Sequence, residues 1–250
     1  MGRRLGQHFL ARTSILERIA EAACPETEPL VVEIGAGRGA LTRPLLERAR
    51  HVVAIETDPI LVEYLQEKFA GVENLTLVRG DVLQLDLAQW GPAVFTGNLP
   101  YYITSPVLRK TLLLGELARR AVYLVQLEVA ERLVAEPGTS AYGFLTVQVA
   151  LFAKAEILFR VPASAFRPPP KVESALVRLI PHPQPLESNP ADFLDFVARC
   201  FRQKRKTIRN NLAGYCDPRR LAETPEAALR AEQLSPAQLQ ALYRRLKPHA

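Results

Sequence analysis

Short apolar blocks of strand length recur along the chain, separated by segments whose apolar residues fall three and four apart. Leu30 to Ile34, His51 to Ile55, Leu75 to Val78, Ala93 to Thr96 and Val122 to Leu127 are such blocks, most of them rich in β-branched residues. Ile15, Leu16, Ile19 and Ala23 repeat instead at helical spacing, behind Ser14 and Glu17, which are spaced as a capping box, and ahead of Pro25. Further helices are predicted after Gly39, after Asp58-Pro59 (aspartate as cap, proline in the first turn), after Ser105-Pro106, over Glu128 to Ala135 and over Phe144 to Ala153, with Pro137 to Gly143 as a loop. Ile157 to Val161 and Val172 to Ile180 bring the strands to seven. Regular alternation of strand and helix predicts a doubly wound α/β fold, its sheet mostly parallel and covered on both faces. Pro181, Pro183, Pro185 and Pro190 then predict a stiff linker. The expected division is residues 1–180 for the α/β domain, 181–187 for the linker and 188–250 for a small α-helical domain.

In such a sheet, ligands sit outside the carboxyl ends of the strands. Four strand ends carry chemistry. After the first comes Gly35-Ala36-Gly37-Arg38-Gly39, a turn whose glycines let the backbone approach a nucleotide beside a helix N-terminus. Glu56 ends the second, where a carboxylate can accept from ribose hydroxyls, and Asp81 follows the third, where it can accept from an adenine amine. An adenosine-bearing cofactor is expected, with NAD and S-adenosylmethionine (SAM) both compatible so far. The fourth strand runs into Asn98-Leu99-Pro100-Tyr101, where proline stops the ladder. Hydride transfer has no need of this turn. Methylation of an exocyclic amine does, because that nitrogen's lone pair is delocalised into the base. Two acceptors, the Asn98 side-chain oxygen and the Pro100 carbonyl, would hold the amine's hydrogens and aim its lone pair, while Tyr101 stacks on the base. Catalysis would come mainly from positioning and electrostatics. A base in a duplex must be flipped out to reach such a site.

Asn98-Leu99-Pro100-Tyr101 resembles the catalytic motif of amine-directed adenine methyltransferases. Gly6-Gln7-His8-Phe9-Leu10 is similar to the N-terminal SAM motif of the ribosomal RNA adenine dimethyltransferases, and the segment from Phe166 to Leu179, with Pro168, Pro170, Val172, Ser174 and Arg178, to that family's late signature. Gln203-Lys204-Arg205-Lys206-Thr207-Ile208-Arg209-Asn210-Asn211-Leu212 resembles a helix of the bacterial small-subunit branch. The resemblance implies a Rossmann-like SAM methyltransferase domain. It would transfer four methyl groups from SAM, without a metal, to two adjacent adenosines in the 3′-terminal hairpin of small-subunit ribosomal RNA, within the assembling 30S subunit. It further implies cofactor contacts at Gln7, His8, Leu10, Gly35, Gly37, Glu56, Asp81 and Asn98, and an aromatic, Phe166, closing on the target base opposite Tyr101. His8 stands where asparagine is commoner, and so does Tyr102. Rival readings are a dimethyltransferase of large-subunit RNA of the antibiotic-resistance type, an assembly checkpoint acting mainly by binding, and, more distantly, an NAD-dependent oxidoreductase.

Charge adds a partner. From Ser188 onward there are 12 Lys and Arg against 6 Asp and Glu, while the rest of the chain balances, so the whole +6 lies in the last quarter. Arg199, Arg202, Lys204, Arg205, Lys206 and Arg209 crowd together with no acid among them. With Val197, Phe201, Ile208 and Leu212 as a buried stripe, they predict one helix whose outer face binds RNA phosphates. Such contacts position RNA without reading its sequence. Cys24, Cys200 and Cys216 are too scattered for a disulfide framework or a zinc site. The basic N-terminus leads into Gly6-Gln7-His8 and no secretory apolar segment, and no apolar run reaches about 18 residues. The expectation is therefore a cytoplasmic protein, not a membrane protein; a monomer is expected as well.

Overall fold

The computed structural model describes residues 8–246. It resolves into two compact units. The first runs to Ala130 and resumes over Ala155–Pro183; the second joins Glu131–Lys154 to the chain from Gln184 onward.

In the first unit, β1 (Phe9–Leu10) leads to α1 (Thr13–Ala23). Strands and helices then alternate through β2 (Val31–Ile34), α2 (Thr42–Leu46), β3 (Val52–Glu56), α3 (Pro59–Lys68), β4 (Leu75–Arg79), β5 (Ala93–Asn98), α4 (Thr104–Leu112) and β6 (Ala118–Gln126). Helices α5 (Leu127–Leu133) and α6 (Phe144–Phe152) follow, and the chain returns through β7 (Ala153–Val161), β8 (Phe166–Arg167) and β9 (Ser174–Pro181). Seven strands form one mixed sheet in the order β4-β3-β2-β5-β6-β9-β7, and β1 pairs with β8 in a separate ribbon. The strands from β4 across to β6 are parallel, and β9 runs antiparallel to β6. The chain steps outward from β2 to β4, then restarts at β5 and steps the other way. The crevice between β2 and β5 is therefore the switch point where such sheets bind ligands.

All four residues of β2 are buried, as is β5 up to Gly97, which is why both read as apolar runs. The α1 stripe of Ile15, Leu16, Ile19, Ala20 and Ala23 joins one core cluster with Val31, Val52, Val94 and Val122. Burying each large side chain of this kind contributes about 1.5–3 kcal/mol. Asp58 caps α3 as expected, accepting from the Ile60 N–H, with Pro59 in the first turn. Two local expectations change, and the helix after the glycine turn is short. Helix α1 starts at Thr13 behind Arg12, so Ser14 lies inside the first turn and forms no capping box. Helix α2 spans only five residues, because Pro44 is tolerated only near a helix start and the glycine turn precedes it. Strand β5 continues past Thr96 to Asn98, paired with Leu124 of β6, which places the motif asparagine on the sheet itself.

The second unit holds α7 (Pro190–Cys200), α8 (Ile208–Asn211), α9 (Pro218–Glu223) and α10 (Pro236–Leu246). Phe193 and Phe196 of α7 each pack on Tyr243 of α10 at 5.5 Å between ring centroids. The contacts cut the chain differently from the expected 1–180, 181–187 and 188–250. Apolar α6 belongs with the helices: the Tyr142 hydroxyl before it donates to the Leu234 carbonyl at 2.7 Å, and the Leu186 N–H donates to the Leu151 carbonyl at 3.0 Å. The proline-rich segment is thus anchored, and Glu187 within it is buried against Arg244 at 3.0 Å. The expected single basic helix is instead two helices with Arg202, Lys204, Arg205 and Lys206 in the segment between them. Helix α7 ends at Cys200, Thr207 caps α8 by accepting from the Asn210 N–H, and the Asn211 amide bridges the break by donating to the Cys200 and Gln203 carbonyls at 2.8 and 3.1 Å.

Candidate active site

The turn after β2 carries Gly35, Gly37 and Gly39 at φ of +76°, +57° and +70°, a region that side chains with a Cβ rarely enter. The turn is closed by Glu56 at the end of β3. One carboxylate oxygen accepts from the Gly37 N–H at 2.8 Å, the other from the Thr57 and Asp58 N–H groups at 2.9 and 3.0 Å. Three donors leave about one of the carboxylate's four acceptor positions open. Asp81, after β4, turns one oxygen back to the Leu83 N–H at 2.9 Å.

Asn98 ends β5 beside this turn. Its side-chain amide donates to the His8 carbonyl at 3.0 Å, which fixes the amide nitrogen there and leaves the oxygen to face elsewhere. His8 makes two further contacts: Nδ1 lies 2.8 Å from the Pro168 carbonyl oxygen, and the ring stacks on Tyr101 at 6.0 Å and 30°. The Tyr101 hydroxyl reaches the Ser174 hydroxyl at 3.5 Å. The β1–β8 ribbon ties the N-terminal segment to the late one, pairing Leu10 with Phe166 and Phe9 with Arg167. The Phe9 ring packs so near Gly37 that a Cβ there would meet it at 3.2 Å.

Together these groups line a cavity of about 1080 Å³. Small-molecule sites usually measure about 300–1,000 Å³, so there is room for a cofactor and part of a second molecule. Of the residues expected from sequence, His8, Leu10, Gly35, Gly37, Glu56, Asp81, Asn98, Pro100, Tyr101 and Phe166 all reach this cavity. Gln7 lies outside the described residues. Two of these residues are already engaged within the fold. Phe166 is only 1% exposed, belongs to the core cluster and forms part of the cavity wall. The Pro100 carbonyl already accepts from the Ile103 N–H at 3.1 Å and the Thr104 hydroxyl at 3.3 Å, which fills its two lone pairs. None of the turn's bonds falls on the Leu99 carbonyl, whose residue also lines the cavity.

One residue was missed. Glu33 of β2 is 1% exposed, lines the cavity, and accepts from the Thr42 hydroxyl at 2.5 Å. Its carboxyl is raised from near 4.5 to about 8, chiefly by burial and further by Glu56, against the Thr42 bond and Lys68, which pull it down. The signal was available: an acid inside an apolar strand just ahead of the glycine turn. A carboxyl raised in this way is protonated in the folded state and ionised in the unfolded chain between pH 4.5 and 8. Stability therefore falls as pH rises through that window, by on the order of 4 kcal/mol in all. Glu33→Gln is expected to melt with the wild type at pH 4.5 and several degrees above it at pH 8; parallel melting curves at every pH would show that Glu33 is not the titrating group.

The basic residues lie in the other unit. Arg202, Arg205, Lys206 and Arg209 are exposed. Arg199 is held by Asp195 at 2.8 Å and stacked over Tyr215 at 4.2 Å, and Lys204 donates to the Ser140 carbonyl at 2.8 Å with Glu232 at 3.8 Å.

Residues 2–246 match a family model described as ribosomal RNA adenine dimethylase. The chain is similar to ribosomal RNA small subunit methyltransferase A of Synechococcus sp. (strain JA-3-3Ab), 44% identical over 94% of this chain and 85% of that protein. The protein of that name from Prosthecochloris aestuarii is 39% identical over 98% and 94%. Among solved structures, a dimethyladenosine transferase from Plasmodium falciparum superposes with a TM-score of 0.82 at 28% identity, covering 95% of this chain and 98% of that one. The 23S rRNA methyltransferase ErmE superposes with a TM-score of 0.76 at 31% identity, covering 95% and 99%.

Proposed function

The chain belongs to the ribosomal RNA adenine dimethylase family, and on that premise we propose that it uses SAM to dimethylate two adjacent adenosines near the 3′ end of small-subunit ribosomal RNA, during subunit assembly. The observation that carries this is the Asn98 side chain, whose nitrogen is held by the His8 carbonyl so that its oxygen is left as an acceptor at the end of β5.

The residues present fit SAM. The glycine turn admits close backbone approach, Glu56 keeps an acceptor position for a ribose hydroxyl, and Asp81 retains a second oxygen for a donor on the base. When bound, SAM supplies an electrophilic methyl group. The chain's own residues then position the nucleophile. The Asn98 oxygen accepts one hydrogen of the adenine amine. Because the Pro100 carbonyl is engaged, the second acceptor is assigned to the Leu99 carbonyl. Held at both hydrogens, the nitrogen becomes pyramidal and its lone pair localises. Tyr101, fixed between His8 and Ser174, presents a ring for the base, and the Phe166 wall excludes water. The methylated amine loses its proton readily, so no strong base is required.

The test is transfer of labelled methyl groups from SAM to under-methylated small subunits, large subunits and naked RNA, followed by nucleoside analysis. Dimethyladenosine on small subunits alone, approaching four methyl groups each, is expected. Label on large subunits would instead support the resistance-type reading, which the likeness to ErmE keeps in view. SAM binding without transfer would support a checkpoint acting by binding.

The second unit is assigned to RNA docking through Arg202, Arg205, Lys206 and Arg209, exposed residues of the basic run that stand apart from the Arg199–Asp195 and Lys204–Glu232 contacts. Reversing Arg205 and Lys206 to Glu is expected to raise KM for small subunits about tenfold at moderate salt and to make its salt dependence shallower. SAM affinity, measured by calorimetry, should not move. Unchanged KM at every salt concentration would remove these residues from the docking surface.

A further inference from the structure

Tyr102 follows the motif tyrosine, and 62% of its surface is exposed, the most of any aromatic side chain among the described residues. Single exposed apolar residues are ordinary. This one differs in placement, because it lines the mouth of the cavity that holds Asn98 and Tyr101. Its backbone is also fixed. Tyr101–Ile103 is a turn of 3-10 helix, closed by the Ile103 N–H on the Pro100 carbonyl at 3.1 Å, and α4 begins at Thr104. Successive side chains on such a turn point about 120° apart. Tyr101 is held inward by His8 and Ser174, so Tyr102 is directed to the rim.

The same cavity carries two arginines that can take the phosphates of an anionic strand, while its three acids, Glu33, Glu56 and Asp81, accept hydrogen bonds within the fold. Arg38 and Arg167 both line it and are exposed. The contacts of Arg167 are to the Ser164 and Phe166 carbonyls, and Arg38 lies over the Phe9 ring at 5.1 Å, so among the described residues neither guanidinium is paired with a carboxylate. A cavity of about 1080 Å³ takes a cofactor and one base; the nucleotide joined to that base must leave across the rim.

We propose that Tyr102 is the stacking platform for the nucleobase next to the one being methylated, so that the enzyme grips two consecutive unpaired nucleotides, one on Tyr101 within the cavity and one on Tyr102 outside it. This rests on the adenine-methylating reading above. Stacking on an aromatic side chain holds single-stranded bases without regard to their identity. Tyr102 is thereby a substrate-positioning residue for the RNA and not for the cofactor.

The experiment compares wild type, Tyr102→Ala, Tyr102→Phe and Tyr102→Trp in methyl transfer to under-methylated small subunits, with SAM affinity and melting temperature measured alongside. Tyr102→Ala is expected to raise KM about tenfold or more, with SAM affinity and melting temperature unchanged, and Phe and Trp to restore wild-type KM. Wild-type KM in Tyr102→Ala would overturn the proposal. So would a Tyr102→Phe protein as impaired as the alanine variant, which would assign the effect to the hydroxyl. Absence of transfer by the wild type would refute the underlying methylation reading, and the inference with it.

Discussion

Asn98→Ala is expected to slow methyl transfer by at least a hundredfold while leaving SAM affinity within about tenfold. Removing one preorganised polar group from a transition-state site typically costs about 10²–10³ in rate. Asn98 qualifies because it is fixed from both sides. Its backbone is in the sheet, paired with Leu124, and its amide nitrogen is bonded to the His8 carbonyl at 3.0 Å. The oxygen needs no reorganisation when the amine arrives. Alanine removes that acceptor and also frees the His8 carbonyl, so some loosening of the N-terminal segment will appear in SAM binding. The two effects separate in single-turnover transfer at saturating SAM, where only the loss of the acceptor remains. If SAM affinity instead falls as far as turnover, Asn98 belongs to the cofactor and not to the reacting amine.

What the sequence made legible was whatever is decided within a few residues. Asp58-Pro59 caps its helix because the cap and its donor, the Ile60 N–H, are two residues apart. Gly35, Gly37 and Gly39 mark a turn because side chains rarely accept those φ values. Buried β2 and β5 read as apolar runs, so the strand ends, and the acids and the amide beyond them, could be placed on one rim. The rest depends on distant partners. Assignment of α6 to the helical unit follows from bonds such as Tyr142 to Leu234, 92 residues away. The break between α7 and α8 is held by Asn211 reaching back to Cys200, which outweighs a continuous helical stripe from Val197 to Leu212. The engagement of the Pro100 carbonyl depends on a turn that only the start of α4 closes.

Gly97→Ala is expected to cripple both fold and site. Gly97 lies in β5 between β2 and β6, and a Cβ built there falls 3.2 Å from the Ile34 carbonyl carbon and closer still to its oxygen. The obstacle is backbone in the middle of the sheet. Ile34 is itself paired with Ile55 of β3, so β2 cannot move without disturbing its other neighbour. Overpacking typically costs about 1–3 kcal/mol, occasionally more, and a clash against fixed backbone belongs at the upper end. For about 150–250 residues that corresponds to roughly 6–12 °C in melting temperature. The displaced strands lead into Gly35 on one side and end in Asn98 on the other, so SAM affinity and turnover should fall together, unlike the split expected for Asn98→Ala. Gly143→Ala is the contrast: no atom lies within 4 Å of its added Cβ, and its φ of −176° is ordinary extended backbone, so little beyond a helix-cap preference is lost. Calorimetric melting of the two variants checks the argument. A Gly97→Ala protein that melts beside Gly143→Ala and still binds SAM would mean that β2 and β5 can part without cost, and that their close approach is not what holds the glycine turn against the catalytic motif.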